Sequence, residues 1–235
     1  MEATLGIMFD DLHTLRDWGL HWESLSISPP VARTNYIDVP GRRTPLDASD
    51  SLFGRVTYGQ RTLTAVFWKI TTWSQHMALE SEIQNAIAGK RIRIFLDTEP
   101  DVYWIGRPTV TFEKTEIAYS KVTIEIVCEP YKYENHTSDE SWIWDDFNLE
   151  SGIIRGYRNI SVNGSGTITV IGSEQPVTPT VTATEEMTLV VNDREYILLK
   201  DTPKKLVGTL VTMKPTSFAF QGTGMVTIQF RGERL

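Results

Sequence analysis

The chain has 235 residues with a hydrophobic fraction of 40% and an aromatic fraction of 10%, values that belong to a packed globular protein and exclude a disordered one. Its formal charge of −7 divides into −3 over residues 1–133 and −4 over residues 134–235. Neither half therefore carries the basic surplus that phosphate neutralisation requires of a nucleic-acid binder.

No run of about eighteen apolar residues is present, so membrane insertion is not expected. The N-terminal MEATLGIMFDDLHTLRDW has acids where the apolar core of a signal peptide would lie. The protein is expected to stay, at first, where it is made.

Along the chain, Asp10-Asp11 ahead of Leu12-His13-Thr14 reads as a capped turn, and His21 falls in a strand beside Trp22. Residues 35–54, NYIDVPGRRTPLDASDSLFG, begin as a strand in which Tyr36, Ile37 and Val39 favour a pleated backbone. They break at Pro40-Gly41, pass through Arg42-Arg43 and Pro45, and return to the apolar pair Leu52-Phe53. A plain surface loop needs neither two prolines nor buried-type residues at both ends. The stretch reads as a stiffened arm.

Period-two alternation then predicts strands in RTLTAVFWKI (61–70), KRIRIFLD (90–97), DVYWIGR (101–107), PTVTFEKTEIAY (108–119) and KVTIEIVCEP (121–130). The connections fall at TEPD (98–101) and at Tyr119-Ser120-Lys121. One helix interrupts them. In TTWSQHMALESEIQNAIAGK, Thr72 suits an N-cap and Gln75 completes a capping box. Leu79, Ile83, Ala86 and Ile87 recur at helical spacing, and Gly89 supplies the stop.

The polar, aperiodic YKYENHTSDES (131–141) reads as a linker, which divides the chain into domains 1–133 and 134–235. Beyond it, turn markers at Asn163-Gly164, Gly172-Ser173, Asn192-Asp193, Lys214-Pro215 and Gly222-Thr223-Gly224 punctuate short strands. These are GTITVIG, VTPTVTAT, EMTLVVN, REYILLK, KLVGTLV, SFAFQ and MVTIQFR, the spacing of an antiparallel β-sandwich. The predicted class is mainly β: a sandwich-like N-terminal domain with one helix and an extended arm, then a C-terminal sandwich.

Reactive chemistry finds little footing. Cys128 stands alone in the alternating VTIEIVCEP, where a small buried thiol is the natural reading and no internal disulfide can form. His13, His21, His76 and His136 share no metal-ligand spacing and read as structural histidines. Asp47 and Asp50 lack the glycine and distal glutamate of a calcium loop. Asp10-Asp11 and Asp145-Asp146 are adjacent acids of the kind that cap helices or face water, against the alternative of a paired-carboxylate site. No G-x-S-x-G, phosphate-cradling glycine loop or His-Glu-x-x-His occurs. No enzyme activity, metal or cofactor is expected. The N-x-[ST] matches at Asn135, Asn159 and Asn163 have no secretory signal to give them meaning.

A family resemblance rests on Trp18-Gly19-Leu20, Ser28-Pro29-Pro30, the octad Asn35-Tyr36-Ile37-Asp38-Val39-Pro40-Gly41-Arg42, Leu46-Asp47 and Phe53-Gly54. With the closing GTGMVTIQFRG, the chain resembles the distal tail proteins of long-tailed, non-contractile bacteriophages, especially those of Gram-positive hosts. Arg43-Thr44-Pro45 stands where many relatives have Asp or Asn with Gly.

The resemblance implies a virion protein made in the host cytoplasm and placed at the distal end of the tail. It implies a homo-hexameric ring between the tail tube protein and the tail-tip hub or fibre, carrying receptor-binding or baseplate proteins. The N-terminal domains would close the ring, each reaching its neighbour through an extended loop, and the C-terminal domain would be galectin-like. DNA would pass through without specific binding. The −3 of residues 1–133 fits either a channel wall that repels phosphates or ordinary solubility charge. On this reading Asn35, Tyr36, Asp38, Pro40, Gly41, Arg42, Leu46, Leu52 and Phe53 form the inter-subunit interface.

A carbohydrate-binding module is the alternative, with Trp142 and Trp144 as its aromatics. Against it, the only histidine in residues 134–235 is His136, and no tryptophan follows Trp144. The H-x-N-x-R and W-x-x-E-x-R groups of sugar-binding galectins are therefore missing.

Overall fold

The computed structural model describes residues 5–50, 55–114, 118–140 and 155–235. The chain forms two compact units, the first Met1–Glu99 with Tyr103–Pro130, the second Pro100–Val102 with Tyr131–Leu235.

In the first unit the strands are β1 (Ile7–Phe9), β2 (Leu12–His13), β3 (His21–Ile27), β4 (Ala32–Arg33), β5 (Tyr36–Ile37), β6 (Leu46–Asp47), β7 (Thr57–Tyr58), β8 (Arg61–Ile70), β9 (Ile92–Leu96), β10 (Glu99–Glu113) and β11 (Tyr119–Cys128). Seven of these form a sheet in the order β2-β1-β9-β10-β11-β8-β3. Alternation decides which side chains go inward: Leu63, Ala65 and Phe67 from β8 and Val122, Ile124, Ile126 and Cys128 from β11 are all fully buried. Helix α1 (Trp73–Ile87) adds Leu79, Ile83 and Ile87 to that core.

The helix begins as its sequence demands. The Thr72 side chain accepts from the Gln75 N–H, and the Gln75 side chain accepts from the Thr72 N–H. It ends before Gly89, whose φ of +71° suits glycine and whose N–H donates to the Pro108 carbonyl.

Several expected boundaries move. Residues 101–107 and 108–119 are not two strands: β10 runs unbroken from Glu99 to Glu113, paired with β11 from Gly106↔Cys128 to Glu113↔Lys121. Pro108 is tolerated because β9 pairs no further along β10 than Gly106↔Ile92, so its missing N–H costs the sheet no bond. The turn expected at 98–101 is instead Asp97-Thr98, with Leu96 opposite Glu99. Tyr119, Ser120 and Lys121 are not a hairpin turn but lie in β11, opposite Ile70, Lys69 and Trp68. Ser120 imitates a turn residue because its buried hydroxyl is satisfied internally, against Thr71 and His76.

The second unit contains β12 (Lys132–Thr137), β13 (Ile160–Val162), β14 (Ser165–Val170), β15 (Thr180–Ala183), β16 (Met187–Val191), β17 (Arg194–Leu198), β18 (Lys204–Lys205), β19 (Thr216–Gln221), β20 (Gly224–Gln229) and β21 (Arg231–Arg234). Two antiparallel four-stranded sheets, β13-β20-β15-β18 and β14-β19-β16-β17, share one core that includes Val181, Ile228, Leu189 and Phe218. The mainly β class is the one the alternation predicts.

Asn192 and Asp193, with φ of 49° and 59°, make the two-residue turn of the β16–β17 hairpin. KLVGTLV is a strand only at its start: Gly208, at φ +84°, turns the chain while Leu206 and Val211 go into the core.

The expected linker is not one. Residues 132–137 form β12, antiparallel to β21. Their inward position carries Glu134 in place of an apolar residue, paired with Arg155 and Arg234, so no hydrophobic period marks the strand.

Candidate inter-subunit arm

Between β3 and β8 the chain leaves the sheet as a two-stranded ribbon. At its base β4 pairs with β7 through Ala32↔Tyr58 and Arg33↔Thr57. Further out, β5 pairs with β6 through Tyr36↔Asp47 and Ile37↔Leu46. Side chains pin the outgoing strand to the returning one. Asn35 N–H donates to the Ser49 hydroxyl and the Asn35 carbonyl accepts from Ala48 N–H. The Ser49 hydroxyl and N–H both donate to Asp47, and these bonds hold the Asp47 carboxyl below its ordinary value.

The tip is a β-turn. Arg42 N–H donates to the Val39 carbonyl, with Pro40 and Gly41 as the central pair and Gly41 at φ +86°. Proline first and a positive-φ glycine second is what a type II turn requires.

The ribbon has no core of its own. Every residue from Val31 to Asp47 is exposed, Tyr36 at 60%, and Ile37, Val39 and Leu46 are exposed with it. A ribbon of this kind is marginal alone, and it holds Tyr36, Ile37, Val39 and Leu46 exposed together at its centre.

Of the residues the sequence assigns to the interface, Asn35, Tyr36, Asp38, Pro40, Gly41, Arg42 and Leu46 all lie on this ribbon. Leu52 and Phe53 lie outside the described residues. The sequence reading missed the returning strand at Leu46–Asp47, because two residues of pairing leave no periodicity to read.

Elsewhere the polar groups are engaged in structure. Ser120 Oγ lies 3.0 Å from His76 Nδ1 and 2.5 Å from Thr71 Oγ1, and Lys114 Nζ donates to the Thr71 carbonyl at 2.6 Å. A serine beside a histidine suggests a nucleophile, but Ser120 is completely buried. Burial also pushes the Cys128 thiol up to about 12, so it holds its proton at neutral pH and packs as an apolar group.

His13 Nδ1 accepts from the N–H groups of Leu15 and Arg16, which leaves Nε2 to donate to Asp97 at 3.1 Å. Asp10 shapes the β1–β2 turn at φ 51° and accepts from Arg93. Among the described residues no three acids, histidines or cysteines gather as metal ligands. Trp142, Trp144 and Asp145-Asp146 lie outside the described residues.

No family model and no curated protein matches the chain. Its fold is similar to the crystal structure of Dit (gp 19.1) of SPP1, presented as a paradigm of the hub adsorption apparatus in phages infecting Gram-positive hosts. The TM-score is 0.61 at 13% identity, covering 99% of this chain and 100% of that one. At that identity the likeness establishes the fold, and it does so across both units.

Proposed function

We propose that this chain is a structural component of a phage tail tip, a distal tail protein that closes into a ring of six. The ring joins the tail tube to the hub or fibre below it and gives host-adhesion proteins a platform, while DNA passes through its lumen unbound. The role is one of assembly and not of catalysis. The observation that carries this reading is a hub-protein fold over 99% of the chain.

The exposed arm supports it. A closed ring needs a heterologous interface, one surface meeting a different surface on the next copy. Ile37 and Leu46 still expose 45% and 41% of their surface, so burying that remainder against a neighbour contributes roughly 1 kcal/mol each, about half of what complete burial gives. Pro40 and Pro45 reduce the conformational freedom lost on docking.

The test is the size and shape of the purified protein. Light scattering should give about six times the chain's 26.7 kDa, and electron micrographs should show rings. A monomer that binds a cell-wall glycan saturably would overturn this reading in favour of a free adhesion module.

A further inference from the structure

We propose that each arm docks on the exposed stripe of helix α1 in the neighbouring copy, with Trp73 and Met77 receiving its apolar shaft and Glu80 receiving its arginine tip. The inference rests on the ring reading above and names the acceptor that reading leaves open.

The first unit buries its large apolar side chains well, with one concentrated exception outside the arm. Ile70 at the end of β8 is 69% exposed, Trp73 59% and Met77 57%. Trp73, Met77, Glu80 and Gln84 follow one another at helical spacing, so they form a single stripe. Their neighbours Leu79, Ile83 and Ile87 hold the helix to its own sheet. Trp73 meets the edge of the His76 ring at 6.0 Å, yet more than half of its surface and of Met77's stays outside that packing.

The charges give the stripe a direction. Half-buried Glu80 is its only acidic or basic residue, and Gln84 Nε2 donates to it at 3.2 Å, leaving further acceptor positions on the carboxylate. At the other end Lys114 Nζ lies 5.7 Å from the Trp73 ring centroid. The stripe thus runs from a cation, across apolar surface, to an anion. From Trp73 to Glu80 the helix rises about 10 Å.

The arm has the complementary sequence of properties. Its shaft exposes Tyr36, Ile37, Val39 and Leu46, and its tip, Val39 to Pro45, holds Arg42 and Arg43 with no acid among them. With the tip at Glu80, the arginines find a carboxylate; reversed, they would meet Lys114. The arm and the Trp73–Met77 part of the stripe are both exposed within one chain, so the arm does not cover its own helix. Two unlike surfaces that complete each other between copies propagate in one sense, which is the contact a ring is built from.

A charge exchange in the full-length protein tests this. Arg42→Glu with Arg43→Glu should abolish rings, Glu80→Arg alone should do the same, and the three together should restore them. In parallel, Val39→Cys with Met77→Cys should give a ladder of disulfide-linked multimers on a non-reducing gel, and neither substitution alone should. Rings that survive Glu80→Arg, form no such ladder, and are lost on changing the arm would overturn the acceptor while leaving the ring reading intact. A wild-type chain that stays monomeric and yields no ladder would overturn both.

Discussion

Glycine at position 232 leaves room for the Glu134 carboxylate, which fills the place a Cβ would occupy there. That carboxylate pairs with Arg155, and with Arg234 Nη2 at 3.5 Å, while Arg234 Nη1 donates to Asp101 at 3.2 Å. Arg231 Nη1 donates at 2.6 Å to the carbonyls of Glu134 and Asn135. Gly232→Ala should push Glu134 off its arginines and destabilise the second unit by about 3–5 kcal/mol, the cost of leaving a buried charge uncompensated. Urea denaturation followed by a probe in the second unit would measure it. A change below about 0.5 kcal/mol would show that the carboxylate swings aside freely.

Thr72→Ala should cost about 1 kcal/mol, the loss of one N-cap. At the surface, the hydrogen bond from Arg16, aided by the His13 N–H, holds Asp17 at about 2, against 3.8 ordinarily. A depressed carboxyl contributes stability that is complete above the unfolded value. That contribution is lost as pH falls through about 2. Asp17→Asn should therefore flatten the acid limb of the stability–pH curve between those values, and an unchanged limb would contradict the pairing. The cap was readable because its residues are three apart in sequence. The Glu134 cluster was not, since it joins residues about a hundred positions apart and a lone acid in a polar strand advertises no partner.

At the scale of elements, the proposed docking of the arm would separate folding from assembly. Tyr36 and Leu46 are exposed, so Tyr36→Ala with Leu46→Ala should leave the melting temperature of the unassembled chain nearly unchanged, surface changes being worth within about 0.5 kcal/mol. The same pair should abolish rings in electron micrographs. Intact rings would place the arm's purpose elsewhere. Elements with a long period are legible: alternation predicts β8 over 61–70, where the strand lies, and helical spacing predicts α1 with its cap and its stop. The short pairings of the ribbon are not. The alternation divides β10 at 107/108, and the tertiary position of β9, which pairs no further than Gly106, is what lets the strand run on through Pro108. β12 was read as a linker because an ion pair replaces its hydrophobic residue.

For the whole molecule, the proposed platform role predicts that calorimetric titration of the full chain with Gram-positive wall glycans shows no saturable binding, since such a role needs rigidity and not a sugar pocket. Binding abolished by Trp142→Ala or Trp144→Ala would favour the adhesion module. The architecture is legible through the Trp18-Gly19-Leu20 run and the octad from Asn35 to Arg42, a local resemblance that matters because identity to the similar fold is only 13%. The pairing of β12 with β21 has a consequence in time. Lys132 meets Arg234, and Ser138 donates its N–H to the Phe230 carbonyl, so the second unit joins the first strand made after Pro130 to Arg231–Arg234. Contacts this distant in sequence form slowly, because the intervening chain must be closed into a loop first. During synthesis the first unit's residues through Pro130 are all available long before that closure. Units fold as they emerge. A chain truncated after Phe230 should keep a protease-resistant first unit and lose resistance in the second; with the last strand restored, protection of the second unit should appear in a single late step.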